Sequence, residues 1–95
     1  MARGTESDEL TCGFSLLSDP TRLGILNALA TGPRNLAALC RLVGQKQQTI
    51  SHHLSLLRMG RLVIGARQGK SMIYASDASA IKALAAGLAK MTPRK

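Results

Sequence analysis

Aromatic side chains are nearly missing from this chain: one Phe, one Tyr and no Trp among 95 residues, so a core has to be assembled from Leu, Ile, Val, Ala and Met. At this length folding buries only about 60 to 65% of the unfolded surface, which excludes two domains and favours dimerisation of a helical fold. Cysteine is scarce too. Cys12 and Cys40 form no CxxC pair and have no His at zinc-finger spacing, which argues against a disulfide-stapled secreted scaffold and for a reducing, cytoplasmic setting. No apolar run approaches the roughly 18 residues a membrane span needs. The opening MARGTESDEL is acidic and polar, where a signal peptide is basic and then apolar, so neither export nor membrane insertion is expected. Acids number only five, and there is no nucleophile beside a base, no carboxylate pair and no phosphate-cradling glycine loop. Neither an enzyme nor a bound cofactor is expected on that basis.

What the chain has in excess is positive charge, +8 overall. Its distribution says more than its size: Arg3 faces four acids up to residue 19, whereas twelve Lys and Arg face Asp77 alone over residues 20–95. A cationic body of this density suits a polyanion, because each neutralised phosphate releases condensed counterions. Nucleic acid is the leading partner class, ahead of an anionic membrane surface, since no long basic amphipathic helix stands out.

Apolar spacing and capping residues predict four helices, a β-hairpin and a final helix in a single domain spanning 1–95, with 1–6 and 92–95 frayed. Ser7 or Asp8 caps a first helix over 8–17 carrying Leu10, Phe14 and Leu17. Asp19-Pro20 starts a second, because Asp accepts free backbone N–H groups and Pro is tolerated at the first helical position. Its buried face is read as Leu23, Leu26 and Leu29 with Ile25 flanking. Thr31-Gly32-Pro33 stops it, and Asn35 caps a short third helix with Leu36, Leu39 and Val43 inward and Cys40 on or near its apolar side. After the turn at Gly44, Ile50, Leu54 and Leu57 repeat at i, i+4 and i+7, and Gly60 closes the fourth helix. Leu62-Val63-Ile64 and Met72-Ile73-Tyr74 read as hairpin strands around Arg67-Gln68-Gly69-Lys70. Asp77 caps the last helix, 78–91, with Ile81, Leu84, Leu88 and Met91 on one stripe.

A short helix, a tight turn and a helix with an outward polar face, here over 35–59, is the helix-turn-helix arrangement, whose second helix enters the major groove. The outward residues suit that role: Gln47 and Gln48 pair with adenine edges, Thr49 and Ser51 reach phosphates or bases, His52 donates to either, and Lys46 precedes them. The bland alternative is an ordinary solvated helix face. A hairpin over 61–76 directly afterwards, with Arg67 and Lys70 flanking Gln68-Gly69, has the form of a wing touching backbone or minor groove; alone it would read equally as a solubilising turn.

The strings LSDPTRLGILNAL (17–29), TISHHLSLL (49–57) and RLVIGARQGKSMIYASD (61–77) resemble the ArsR/SmtB family of winged-helix repressors, small dimeric bacterial proteins that commonly release operator DNA on binding metals or other effectors. The resemblance runs from about residue 10 to 91 in the family's order and spacing. It implies a mainly α fold with a small β-hairpin, a winged helix-turn-helix homodimer on a palindromic DNA operator, and steric exclusion of RNA polymerase. DNA contacts would fall on Gln47, Gln48, Ser51, His52 and the wing from Arg67 to Lys70, with the dimer interface on the first and last helices. Two rivals stand beside this reading: an architectural binder with little sequence preference, and a protein-interaction module on the same fold. The polar face from Gln47 to His52 weighs against the second, since interaction surfaces favour aromatic or Met anchors.

The resemblance leaves the effector open. Some metal-sensing members carry cysteines at the start of the third helix, where this chain reads Pro33-Arg34-Asn35-Leu36; others use Asp, His and Glu on the last helix, at places occupied here by Ala78, Ala80, Met91 and Arg94. No metal site is expected. His52 and His53 point about 100° apart on a helix and do not form the i, i+4 chelating pair; His53 is left to pack or cap. In some members an N-terminal cysteine of one subunit approaches the third helix of the other, which would make Cys12 and Cys40 a thiol sensor. The alternative is that both are structural, free cysteine being commonly buried.

Overall fold

The computed structural model describes residues 6–93. Eight elements follow one another: α1 (Glu6–Leu16), α2 (Pro20–Leu29), β1 (Arg34–Asn35), α3 (Leu36–Val43), α4 (Gln47–Met59), β2 (Val63–Gln68), β3 (Ser71–Ser76) and α5 (Ala78–Ala89). Helix α1 starts earlier than its spacing suggested, so Glu6 is its first residue and Ser7 and Asp8 lie within it. At the other end, Thr92 stays tied to the last helix through its amide and hydroxyl, which donate to the Ala89 carbonyl at 3.1 and 2.7 Å. The fraying expected for residues 1–5 and 94–95 falls outside the described residues.

Caps place three of the helices. The Asp19 backbone is extended and its carboxylate accepts from the Thr21 and Arg22 amides at 2.8 and 3.1 Å, just ahead of Pro20. Asn35 accepts from the Ala38 amide at 2.9 Å, and Asp77 from the Ala80 amide at 3.2 Å. Gly44 ends α3 in the left-handed region at φ 79, where its amide donates to the Cys40 carbonyl; a side chain would strain there. Gly60 closes α4 as expected. The left-handed residue is Arg61, φ 66, while Gly60 has an ordinary negative φ. Gly60 is needed for space, since a Cβ there would overlap the Leu16 side chain.

The sheet has three antiparallel strands in the order β1-β3-β2. Two residues just before α3 make a strand that the sequence reading lacked: Arg34 faces Tyr74 and Asn35 faces Ile73. Across the hairpin, Gln68 pairs with Ser71, so the turn proper is Gly69-Lys70, within the expected turn region 67–70. Gly69 supplies φ 64 at the first place of that two-residue turn, as primed hairpin turns require.

The core is Ile25, Leu29, Leu39, Ile50, Leu54, Leu57, Leu62, Val63 and Leu84, with every helix except α1 contributing. Helix α1 packs from outside with Leu10 and Phe14 half-buried against it. It lies very close to α5 because Gly13 makes room for Leu84 and Gly87 for Leu10, each a hole that a Cβ would fill. In α2 the buried residues are Ile25 and Leu29, whereas Leu23 is 44% exposed, so its inward face is rotated from the Leu23-Leu26-Leu29 stripe. The α3–α4 pair followed by β2–β3 is a winged helix-turn-helix.

Candidate nucleic-acid interface

Because Ile50, Leu54 and Leu57 are all buried, the helical repeat turns the intervening residues of α4 outward. Gln47, Gln48, Ser51, His52 and Ser55 line one shallow concave surface. Thr49 is half-buried and turned from it, unlike its expected neighbours. Lys46 occupies the cap position without a side-chain hydrogen bond to the helix, so the first-turn amides of α4 have no side-chain acceptor from the cap. Groups of that kind suit an anionic oxygen.

The wing stands beside this surface. Gln47 at the head of α4 lines a hollow with Ser71 and Met72 at the start of β3. Arg67, Gln68 and Lys70 are all exposed, and Lys46, Arg67 and Lys70 make no ion pair among the described residues. Lys70 sits at the turn itself, while Arg67 belongs to β2 and pairs with Met72.

His53 holds α4 to the rest of the domain. Its Nδ1 lies 3.2 Å from Arg22 Nη1, a group that can only donate, and its Nε2 lies 3.9 Å from the Asp19 carboxylate. The same Arg22 donates from Nε to the Leu16 carbonyl at 2.6 Å, closing the end of α1. One arginine thus joins α1, α2 and the recognition helix, and the half-buried His53 ring meets the exposed His52 ring edge-on at 5.2 Å. Sequence reasoning left His53 to pack or cap; the adjacent charged pair Asp19 and Arg22 at the start of α2 was the available signal.

The caps carry a pH signature. The Arg22 amide first, then the Thr21 amide and the His53 and Arg22 side chains, outweigh partial desolvation and hold the Asp19 carboxyl below the usual carboxylate range. The Ala80 amide and the Ser79 hydroxyl do the same for Asp77. A depressed folded pKa adds stability that is complete above the unfolded value and is lost as pH falls through the folded one. The urea midpoint of the parent is therefore expected to fall more steeply than that of a D19N/D77N variant as pH is lowered from about 5 to 3. Parallel curves would mean that the carboxylate charge adds nothing to these caps.

The two thiols are not brought together within one chain. Cys12 is exposed, in a hollow between α1, the α4–β2 turn and α5, whereas Cys40 is half-buried, packs on the core and borders the Gln47 hollow. Chemistry between them would have to run between copies. Among the described residues no three His, Cys, Asp or Glu side chains cluster as metal ligands, and no helix is long and apolar enough to cross a membrane.

Comparison with known proteins adds a family. The model of "Bacterial regulatory protein, arsR family" matches residues 19–64. The chain is similar to the arsenical resistance operon repressor of Escherichia coli, 42% identical over 62 residues, 64% of this chain and 53% of that protein. It spans about half the length of curated relatives of this kind. The NolR structure from Sinorhizobium fredii is 30% identical with TM-score 0.74, covering 96% of this chain and 97% of that one. The homodimeric winged helix-turn-helix DNA-binding domain of Mb0332 from Mycobacterium bovis is 26% identical with TM-score 0.75, over 94% of this chain and 88% of that one.

Proposed function

This chain belongs to the arsR family of bacterial regulatory proteins, and on that footing we propose that it binds a palindromic double-stranded DNA operator as a homodimer and represses transcription in the cytoplasm, without enzymatic activity. The observation that carries this reading is the juxtaposition of the amide- and hydroxyl-bearing face of α4 with a cationic wing tip, the two meeting at the hollow shared by Gln47 and Ser71. Gln47, Gln48, Ser51 and His52 would face base edges, and Lys46, Arg67, Gln68 and Lys70 the phosphate backbone. The residues present favour no particular effector.

The test is binding to a duplex selected by the protein from a random pool, followed by fluorescence anisotropy against a scrambled duplex. Gln47→Ala or His52→Ala is expected to weaken the selected duplex by about 1 to 3 kcal/mol with little change on the scrambled one. Lys70→Ala should weaken both and lower the magnitude of the salt slope by about 1. A specificity ratio near one would reassign the chain to architectural binding, and no binding at all would leave a protein-interaction module.

A further inference from the structure

Arg58 in the last turn of α4 is exposed, yet it is seated on the wing rather than free in solvent. Its guanidinium carbon lies 5.9 Å from the centroid of the Tyr74 ring in β3. Tyr74 is paired across the ladder with Gly65 of β2, and residues directly opposite in an antiparallel pair share a face. Gly65 leaves that face open beside the ring. A Cβ at Gly65 would stand 3.2 Å from Arg58 Cζ and 3.3 Å from its Nε, with Met72 Cε at 3.0 Å. The guanidinium thus lies over the glycine and toward the aromatic ring. No carboxylate among the described residues pairs with it, so shape and the ring face hold it, not an ion pair. A planar guanidinium suits such a place, and a lysine ammonium, compact and strongly hydrated, does not.

We propose that Arg58 is a positioning residue: seated on Gly65 and Tyr74, it fixes the wing against α4 so that Arg67 and Lys70 reach the same duplex as the recognition helix. This rests on the DNA-binding reading and adds to it a link between helix and wing. The seat also suits glycine within β2, where a Cβ would press on Arg58 and Met72 and make them give by a few tenths of an ångström.

Binding to a mixed-sequence duplex of about 30 base pairs, measured between about 50 and 300 mM KCl, separates this role from a simple phosphate contact. Arg58→Lys keeps the charge, yet is expected to reduce the magnitude of the salt slope by about 1 to 2, as an R67A/K70A wing variant does. Each phosphate that the wing no longer neutralises lowers affinity about fivefold near 0.15 M salt. Adding Arg58→Lys to R67A/K70A should cost nothing more. Tyr74→Leu should behave like Arg58→Lys, and Tyr74→Phe, which keeps the ring, like the parent. Urea midpoints of the arginine variants should match their backgrounds, since Arg58 is outside the core. The proposal is overturned if Arg58→Lys retains parental slope and affinity, or if its effect adds fully to that of the wing variant. A parent that binds no duplex overturns this inference together with the DNA-binding reading, an outcome distinct from one in which parent and wing variants behave as described and only Arg58 does not.

Discussion

Truncating Ile50 to Ala is expected to remove a large part of the stability of this domain, by about 2 to 5 kcal/mol. The side chain is 0% exposed and stands in the first turns of the recognition helix, packed within the cluster that includes Ile25, Leu39, Leu54 and Leu57. Removing three carbons deletes the transfer term and leaves a cavity that helices fixed by caps at Asp19, Asn35 and Asp77 cannot readily collapse. Domains of this size hold only about 5 to 15 kcal/mol in total, so a substantial unfolded fraction at physiological temperature is the expected phenotype. Ile50→Val, which loses one methylene, should cost about 0.5 to 1.5 kcal/mol. The check is urea unfolding followed by circular dichroism: the midpoint falls and the slope stays. A loss under about 1 kcal/mol for Ile50→Ala would mean that the interior relaxes around this position and that α4 is not anchored there.

Leu88→Glu is expected to turn a dimer into a monomer and to weaken operator binding by about a hundredfold or more. Helices α1, α2 and α5 leave between them an apolar hollow lined by Phe14, Leu17, Leu23, Leu26, Ile81 and Leu88. Leu88 remains 56% exposed at its rim. The proposed homodimer would seat a second copy there, and the Mycobacterium bovis domain of similar fold is itself homodimeric. A carboxylate buried there without a partner costs far more than the leucine contributed. The loss in DNA affinity follows because joining two half-sites gives an avidity of about 10² to 10⁴ that separate subunits lack. Sedimentation at micromolar concentration reads the first effect and anisotropy the second, with Leu88→Met as the variant that stays dimeric. An unchanged mass for Leu88→Glu would place the interface elsewhere.

The parts of this molecule legible in the sequence are those set by local rules. The Ile50-Leu54-Leu57 repeat defined the inward side of α4 and hence its outward polar face, and Asp19, Asn35 and Asp77 marked helix starts because a short polar side chain satisfies amides within three residues of itself. What stayed hidden depends on distant neighbours. Strand β1 is two residues long and owes its existence to β3, far later in the chain. The face of α2 could not be chosen from its own spacing, because apolar residues surround much of that helix, and α3 and α4 decide that Ile25 is inside and Leu23 is not. Gly60 closes α4 as its place in the sequence suggested, but the space it clears for Leu16, a residue of the first helix, is set by a distant neighbour. The Arg22–His53 link spans 31 positions and has no periodicity to reveal it.

The strand order has a consequence in time. The middle strand is the one made last, so during synthesis at roughly 5 to 20 residues per second the helix-turn-helix leaves the ribosome about one to three seconds before Ser71–Ser76. Through that interval β1 and β2 have open edges and Arg58 has no ring to rest on. Arrival of β3 joins the root of α3 to the wing, because that one strand carries both ladders, one on each edge. Only the release of β3 itself opens both ladders at once, so the opening of the middle strand is the event that would loosen the wing and the root of α3 together.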